Sequence, residues 1–371
     1  MTDLHSLVLE SFHAEQGARF GPFAGYRMPI QYPLGVKGEH IHTRDAVGLF
    51  DVSHMGQLLI EGAGATKALE RLVPASLQDM TRGQIRYSQL TLDNGGILDD
   101  LMLTRWDHES WRLVVNGACK FEDIRHLKTY LPAEVTIRYL DNYSLIAVQG
   151  PKARRILSEL IPDARTLVFM RSLQTTWNDC DIVLSCCGYT GEDGYEISIA
   201  KQFVHELADA LTDLAETTWV GLGARNSLRL ETGLCLYGND LTTDTTPIEA
   251  DLLWSIQKRR RIDGGFLGAK IILKQITDGV SRKRVGIKPK DGKTPLREHT
   301  VLKNIAGDLV GEITSGGFGP TRRGPVAMGY VSQYLSALGT ELVAEVRGKP
   351  LSCTVCDPIF IQQRYVRNLS C

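Results

Sequence analysis

The stretch that most constrains the fold is DNGGILDDL, residues 93–101, because it joins a turn signal to two adjacent carboxylates. Its Asn-Gly-Gly segment, flanked by apolar alternation, predicts a β-hairpin with strands over 85–92 and 97–104. Successive side chains of a strand point to opposite faces, so one of Asp99 and Asp100 is expected to face water and the other the interior. Burial of a carboxylate is unfavourable unless it has a hydrogen-bond or charge partner, so a buried one often belongs to a functional site. On this stretch alone, a capping role at the turn and a functional role both stay open.

The rest of the chain narrows the class of protein. A length of 371 residues predicts two or three domains. The formal net charge of −1 gives no global indication of nucleic acid or a membrane surface as a partner. No run approaches the ~20 apolar residues of a membrane helix, and the first residues lack the composition of a secretory signal or a transit peptide. We therefore expect a cytoplasmic protein, or a mitochondrial matrix protein if the source is eukaryotic.

The eight cysteines are scattered along the chain, which favours free thiols over a disulfide framework. The one CxxC motif, Cys353 to Cys356, lies in an alternating run, where positions i and i+3 of a strand face opposite sides. A metal site there is therefore not expected. The basic run 258–261 predicts a solvated helix end or turn, with an anion-binding patch as the alternative.

Helical spacing of apolar residues from Leu4 to Phe12 predicts an amphipathic N-terminal helix. The run 111–116 predicts a further strand, and a further helix is predicted over 119–131. The segment 221–240 starts with two glycines and then continues with helical spacing to Leu234. Residues 284–371 alternate between short strand-like runs and turns, which predicts a separate C-terminal β domain.

Several long sequence blocks occur in a fixed order along the chain: DVSHMGQ (51–57), NGGILDDL (94–101), VVN (114–116), QGP (149–151), GYTGEDGYE (188–196), GLGARNSLRLETGLCLYGND (221–240), GEITSG followed by Pro (311–320), and a Phe360 to Arg367 ending. Together they closely resemble the aminomethyltransferases, the T-protein family of the glycine cleavage system, over nearly the whole chain. The resemblance implies an α+β fold, a three-domain cloverleaf with antiparallel sheets flanked by helices and a C-terminal β-barrel-like domain. The implied domains are 1–50 with 140–275 (discontinuous), 51–139, and 281–371.

The resemblance also implies an activity. Members of this family use tetrahydrofolate as co-substrate and take an aminomethyl group from the dihydrolipoyl arm of lipoylated H-protein. They release ammonia and form 5,10-methylenetetrahydrofolate, and no metal is expected. A related folate-dependent demethylase stays the alternative, because motifs that contact only folate do not identify the donor. A folate-binding iron–sulfur assembly factor would carry a Lys-Gly-Cys motif after residue 221, and this sequence has none there.

Site residues follow from the same blocks. Asp100 matches the family's catalytic carboxylate, which would orient the folate amine, accept its proton and stabilise positive charge on the transferred carbon. Further positions match residues that contact folate: Met55, Tyr87, Asn116, Tyr189, Glu196, Arg225 and Arg367. A carboxylate such as Glu196 suits the amide and amino groups of a pterin. Arginines suit the carboxylates of the glutamyl tail, and tyrosines supply flat walls.

The chain departs from the family pattern at a few positions. Asn226 stands where Asp is usual, which is expected to loosen Arg225. Cys186-Cys187 stands where Arg-Thr is common, so a positive charge near the folate loop is expected to be missing. Gly319 replaces a frequent Ser. We expect activity to survive with weaker folate affinity. The basic run 258–261 is the candidate surface for an acidic carrier.

Overall fold

The protein is described by a computed structural model that covers residues 4–369. Its strands are β1 (His5–Ser6), β2 (Arg19–Phe23), β3 (Tyr26–Gln31), β4 (Val47–Asp51), β5 (Gly56–Glu61), β6 (Ile85–Thr91), β7 (Ile97–Asp107), β8 (Ser110–Val115), β9 (Thr136–Tyr139), β10 (Tyr143–Gln149), β11 (Arg171–Trp177), β12 (Cys180–Cys186), β13 (Gly194–Ala200), β14 (Thr217–Trp219), β15 (Arg282–Pro289), β16 (Val301–Lys303), β17 (Leu309–Gly319), β18 (Gly324–Ser332), β19 (Glu341–Val346) and β20 (Lys349–Cys356).

The α-helices of the same residues are α1 (Glu10–Glu15), α2 (Gly35–Asp45), α3 (Ala65–Glu70), α4 (Lys120–Tyr130), α5 (Ala153–Leu160), α6 (Val204–Thr212), α7 (Leu222–Glu231), α8 (Lys258–Asp263) and α9 (Ala269–Asp278). Short 3₁₀ helices occupy Pro162–Thr166, Lys201–Phe203, Leu253–Ser255 and Gln333–Leu335.

The hairpin predicted from the opening stretch is β6 and β7. Gly95 takes φ +80°, a conformation that favours glycine, and the Asn94 side chain accepts the Gly96 N–H at 2.9 Å. These two features close the turn and set the register in which Asp100 lies opposite Gln89. The predicted first strand matches the structure, and the second runs on to Asp107.

Antiparallel sheets dominate the fold. A five-stranded sheet has the order β6-β7-β8-β5-β9, and a six-stranded sheet has the order β11-β12-β13-β10-β4-β14. Strands β15 to β20 form a closed barrel, and β1, β3 and β2 form a small sheet near the N-terminus. The parallel pairs are β1 with β3 and β14 with β4. The α+β class, with antiparallel sheets and a C-terminal barrel, is thereby confirmed.

Each large sheet has its own apolar core. Trp111 is buried in the core of the five-stranded sheet, Tyr195 in that of the six-stranded sheet, and Ile313 inside the barrel. Burial of such aliphatic and aromatic surface is the main contribution to stability. Separate cores agree with the three-part arrangement expected from the sequence, while the exact domain boundaries stay a prediction.

The expected N-terminal helix is wrong in extent. His5 and Ser6 form a strand that pairs with Tyr26 and Arg27 of β3, and helix α1 begins only at Glu10. Leu7 and Phe12 are still buried. Their spacing therefore reflects burial from a strand, a turn and a short helix in succession, and not one helix face.

The basic run also differs from expectation. It forms helix α8, in which Arg260 is only 4% exposed. Arg260 donates to the carbonyl oxygens of Glu70 and Val73, and Arg259 donates to the carboxylate of Glu70. The run therefore ties the segment after α7 to α3 through internal contacts. Lys258 and Arg261 are its exposed members, and a role as carrier surface stays a prediction that would depend on them.

Two further expectations concern cysteines and membranes. The seven cysteines within residues 4–369 are all free, as expected, and Cys371 lies outside the described residues. In the part of the chain that the structure describes, no helix has the length and apolarity needed to cross a membrane.

Candidate active site

The Asp100 carboxylate is held by two side chains from neighbouring strands. The Tyr87 hydroxyl donates to Oδ2 at 2.9 Å, and the Asn116 amide donates from Nδ2 to Oδ1 at 2.7 Å. Tyr87 lies on β6, and Asn116 directly follows β8, the strands on either side of β7. The sheet order therefore places all three predicted site residues together.

The electrostatics of Asp100 are unusual. Burial, followed by the charge of Asp99, raises the pKa of the Asp100 carboxyl to about 7, although the hydrogen bonds from Tyr87 and Asn116 act in the opposite direction. A carboxyl group with this pKa can hold or release a proton near neutral pH.

Asp99 corrects one expectation from the sequence, because neither acid of the doublet faces bulk water. The two side chains do point away from each other, but Asp99 is fully buried and Asp100 is half-buried. The five-stranded sheet is covered on both sides at this point: Asp99 lies against Cys119 and Asp123 of the α4 region, and Asp100 lies on the side of Tyr87.

Glu196 and Arg225 form a second part of the site. Glu196, on β13, is 8% exposed, and its hydrogen-bond donor is the Cys187 thiol at 3.4 Å. Burial raises the pKa of the Glu196 carboxyl, against the lowering effect of the Arg225 charge. Arg225, on α7, lies 4.8 Å from the centre of the Tyr189 ring. Within residues 4–369 its Nη1 is buried without a hydrogen-bond partner.

Tyr189 connects the two parts. Its hydroxyl donates to the carbonyl oxygen of Cys235. Burial raises the pKa of Tyr189, and both Asp100 and Arg225 are close enough to act on it. The structure therefore gathers six predicted residues into one region: Tyr87, Asp100, Asn116, Tyr189, Glu196 and Arg225.

Arg367 and Met55 lie towards the edges of this region. The Arg367 guanidinium is exposed and lies 5.0 Å from the Phe169 ring, which stacks on Tyr365 at 3.9 Å. Tyr365 is in turn close to Cys187, the partner of Glu196. Met55 packs against the apolar cluster beneath α7 and also lines a separate cavity of about 210 Å³ near Tyr26 and Tyr139.

The departures from the family pattern have local explanations. Arg154 of α5 brings a guanidinium to 3.8 Å from Cys186 Sγ and to 3.1 Å from Asp193, so a positive charge lies beside this segment despite Cys186-Cys187. The expectation that this charge is missing is therefore wrong. Asn226 accepts a hydrogen bond from Arg229 Nε at 2.8 Å.

Gly319, at the end of β17, lies where this strand approaches the end of α7 closely. A Cβ there would lie 2.7 Å from the Glu231 carboxylate, so the glycine leaves room for that side chain.

Two residues near Asp100 were not among the predicted site residues. Trp254 stacks on Tyr87 with 5.4 Å between ring centres, although the Trp254 side chain is 62% exposed. Asp123 is fully buried beside Asp99. The sequence signal for Trp254 is an isolated aromatic residue before the basic run, and that for Asp123 is an acid within the helix predicted over 119–131. Neither signal indicates a site.

Comparison with known proteins matches both halves of the chain. Residues 9–260 match the GCVT N-terminal domain, and residues 282–362 match the glycine cleavage T-protein C-terminal barrel domain. Among curated proteins, the mitochondrial aminomethyltransferase of Dictyostelium discoideum is 41% identical, with 98% of this chain and 94% of the relative covered. The mitochondrial aminomethyltransferase of Pisum sativum is 40% identical, with 99% of this chain and 91% of the relative covered.

A solved structure is similar along its whole length. The crystal structure of glycine cleavage system aminomethyltransferase T from Bartonella henselae has a TM-score of 0.94 and 42% identity, with 98% of this chain and 99% of that chain covered. The resemblance found in the sequence is thereby confirmed. The chain belongs to the glycine cleavage T-protein family, whose curated members named above are aminomethyltransferases.

Proposed function

We propose that this enzyme transfers an aminomethyl group from the dihydrolipoyl arm of a lipoylated H-protein, releases ammonia, and delivers the one-carbon unit to tetrahydrofolate. Membership of the aminomethyltransferase family supports the reaction class. The observation that carries the proposal is the Asp100 carboxyl, held by Tyr87 and Asn116 with a pKa raised to about 7 by burial and by Asp99.

Asp100 has the properties that the transfer requires. Tetrahydrofolate supplies the nitrogen that takes up the one-carbon unit. Within residues 4–369 each Asp100 oxygen accepts one side-chain hydrogen bond, which leaves a lone pair on each to orient an amine and take its proton. A poorly hydrated carboxylate also stabilises positive charge that develops on the transferred carbon.

The remaining residues fit a folate. The Glu196 carboxylate has a thiol as its donor and can accept the paired N–H groups of a pterin. Nη1 of Arg225, which has no hydrogen-bond partner in the described part of the chain, suits an anionic group such as a carboxylate of the glutamyl tail. Tyr189, whose ring lies 4.8 Å from Arg225, and Tyr87, which stacks on Trp254, are proposed as the aromatic contacts of the folate. We propose Met55 and Arg367 as contacts at the edges of the same site.

The decisive test is Asp100→Asn. The amide keeps the shape and can still accept from Asn116 and donate to the Tyr87 oxygen, but it cannot take a proton. We expect turnover to fall about 100- to 10,000-fold, the usual contribution of a general base, while tetrahydrofolate affinity changes by less than about threefold. Ammonia release from aminomethylated H-protein measures the first, and calorimetric titration measures the second.

Asp107→Asn is the matched control, because Asp107 is an exposed acid on the same strand, and it should leave both quantities unchanged. Near wild-type turnover of Asp100→Asn would overturn the assignment. Folate binding by the wild-type enzyme without ammonia release from the carrier would instead favour the demethylase alternative.

A further inference from the structure

Asp123 is a buried acid without the donors that an ionised carboxylate needs. It lies on α4, and its side chain is fully buried. Among the described residues, neither of its oxygens receives a hydrogen bond from an N–H or hydroxyl group. A buried, unpaired carboxylate is strongly unfavourable, so such a group keeps its proton.

Asp99, its neighbour, is the opposite case. Its Oδ2 accepts the backbone N–H of Asn116 at 3.0 Å, and its Oδ1 accepts the Asn116 side-chain amide at 2.8 Å. The Cys119 thiol and the Asp123 carboxyl also lie close enough to Asp99 to affect its titration. Among the described residues Asp99 has two N–H donors from Asn116 and Asp123 has none, so Asp99 is the member of the pair that carries the negative charge.

The same Asn116 amide nitrogen also donates to Asp100. Its two hydrogens therefore bridge the two aspartates, one buried behind the sheet and one in the site. Any change in the charge or position of Asp99 is transmitted to Asp100 through a single planar group.

We propose that Asp123 is a positioning residue for the proposed transfer: it stays protonated, donates to Asp99, and so keeps Asp99 as the anion that fixes Asn116 against Asp100. The inference rests on the proposed role of Asp100. Burial and the charge of Asp99 raise the pKa of Asp123 to about 10, in agreement with a protonated carboxyl.

The titratable groups close to Asp123 must be known before the dependence of turnover on pH can be interpreted. Asp99 and Asp100 come from β7, Cys119 and Glu122 from the α4 region, and Tyr237 from the segment after α7. Burial raises the pKa of Cys119, so the thiol stays neutral below the alkaline range. The Asp99 charge is thus the variable that Asp123 controls.

The first test detects the proton on the Asp123 carboxyl by infrared spectroscopy. At about pH 8.5, between the values for Asp100 and Asp123, the infrared spectrum of the wild-type enzyme should contain the carbonyl band of a buried protonated carboxyl group. Asp123→Asn should lose that band. Persistence of the band in Asp123→Asn, or its absence from the wild type, would overturn the proposal. This measurement does not depend on turnover. Its result can therefore be interpreted whether or not the Asp100→Asn test supports the proposed function.

The second test reads the effect on Asp100. Asp123→Asn can still donate to Asp99 and should keep turnover within about threefold and the acid limb of the pH profile in place. Asp123→Leu cannot donate, so Asp99 should take up a proton and lose its charge. The acid limb should then move about one pH unit lower, the size expected for loss of one neighbouring like charge. An unmoved limb in a folded Asp123→Leu enzyme would contradict the proposal.

Discussion

Glu231 and Glu196 are both buried glutamates that lie near an arginine, but their surroundings differ in kind. Glu231 is fully buried at the end of α7. Its Oε2 accepts from His40 at 3.0 Å and Arg44 at 3.3 Å, and its Oε1 accepts the backbone N–H groups of Thr321 and Arg322 at 2.8 and 3.0 Å. These bonds join α2 and α7 to the turn between β17 and β18 of the barrel.

The Glu196 carboxylate has a different set of neighbours. One thiol donates to it, and the nearby Arg225 has a buried Nη1 without a partner in the described part of the chain. The pKa values differ accordingly. Burial alone would raise the pKa of Glu231, but the hydrogen bonds and charges of His40 and Arg44 lower it overall; for Glu196 burial dominates and the pKa is raised.

This difference separates a framework site from a ligand site. A buried charge whose hydrogen bonds are complete within the protein contributes to holding elements together, since breaking it leaves an unpaired charge. A buried carboxylate and guanidinium with incomplete bonds destabilise the free protein, and they become favourable when a ligand supplies the missing partners. Glu196 and Arg225 have the second pattern.

The largest effect on stability is expected from Glu231→Gln. The amide cannot accept from Arg44, His40 and two backbone N–H groups as the carboxylate does, and it leaves the Arg44 guanidinium with a weaker partner. We expect the free energy of unfolding to fall by about 3–5 kcal/mol, the range for a broken buried ion pair. Urea unfolding followed by fluorescence measures this loss. Retention of wild-type stability would show that the Glu231 cluster does not hold the barrel in place.

A smaller and different effect is expected from Glu196→Gln. The same chemical change should alter stability much less, because the loss of a countercharge near Arg225 is offset by the removal of a poorly solvated charge. Tetrahydrofolate affinity should fall about 10- to 100-fold, equivalent to roughly 1.5–3 kcal/mol for hydrogen bonds to a charged group. Calorimetric titration tests the affinity, with Glu231→Gln as the matched replacement. A loss of stability without a loss of affinity would reverse the distinction between the two glutamates.

The order of elements around Asp100 could be predicted from the sequence because it depends on local signals. The Asn94-Gly95-Gly96 turn and the alternation of apolar residues predict the β6–β7 hairpin, and the run that ends at Asn116 predicts β8. Once these strands are adjacent, Tyr87, Asp100 and Asn116 must lie close together. The family blocks supplied the rest of the predicted site.

What the sequence did not predict are contacts between elements that are distant along the chain. Arg154 approaches Cys186 from a helix 32 residues away. Arg260 is buried against α3 across 190 residues. Asp99 is buried because both faces of β7 are covered. This likewise depends on how α4 and the segment after α7 lie against the sheet. Periodicity reports which face of an element is apolar, but not which distant side chain completes a hydrogen bond there.

The smallest effect on stability is expected from the protonation of Asp100. Its pKa is about 7 in the folded protein, against an ordinary value of 3.8. Between about pH 4 and pH 7 the folded state therefore holds a proton that the unfolded state has released, so stability falls as pH rises through this window and levels off above it. Asp100→Asn lacks this titration. The free energy of unfolding of the wild type, relative to that variant, should decline from pH 4 to 7, by a modest amount because Asp100 is only half-buried and solvent screens part of its charge. Urea unfolding at several pH values measures the decline, with Asp107→Asn as the exposed control. Parallel curves for wild type and Asp100→Asn would mean that the Asp100 carboxyl titrates normally, and the distinction between incompletely and completely bonded buried acids would then rest on Glu196 alone.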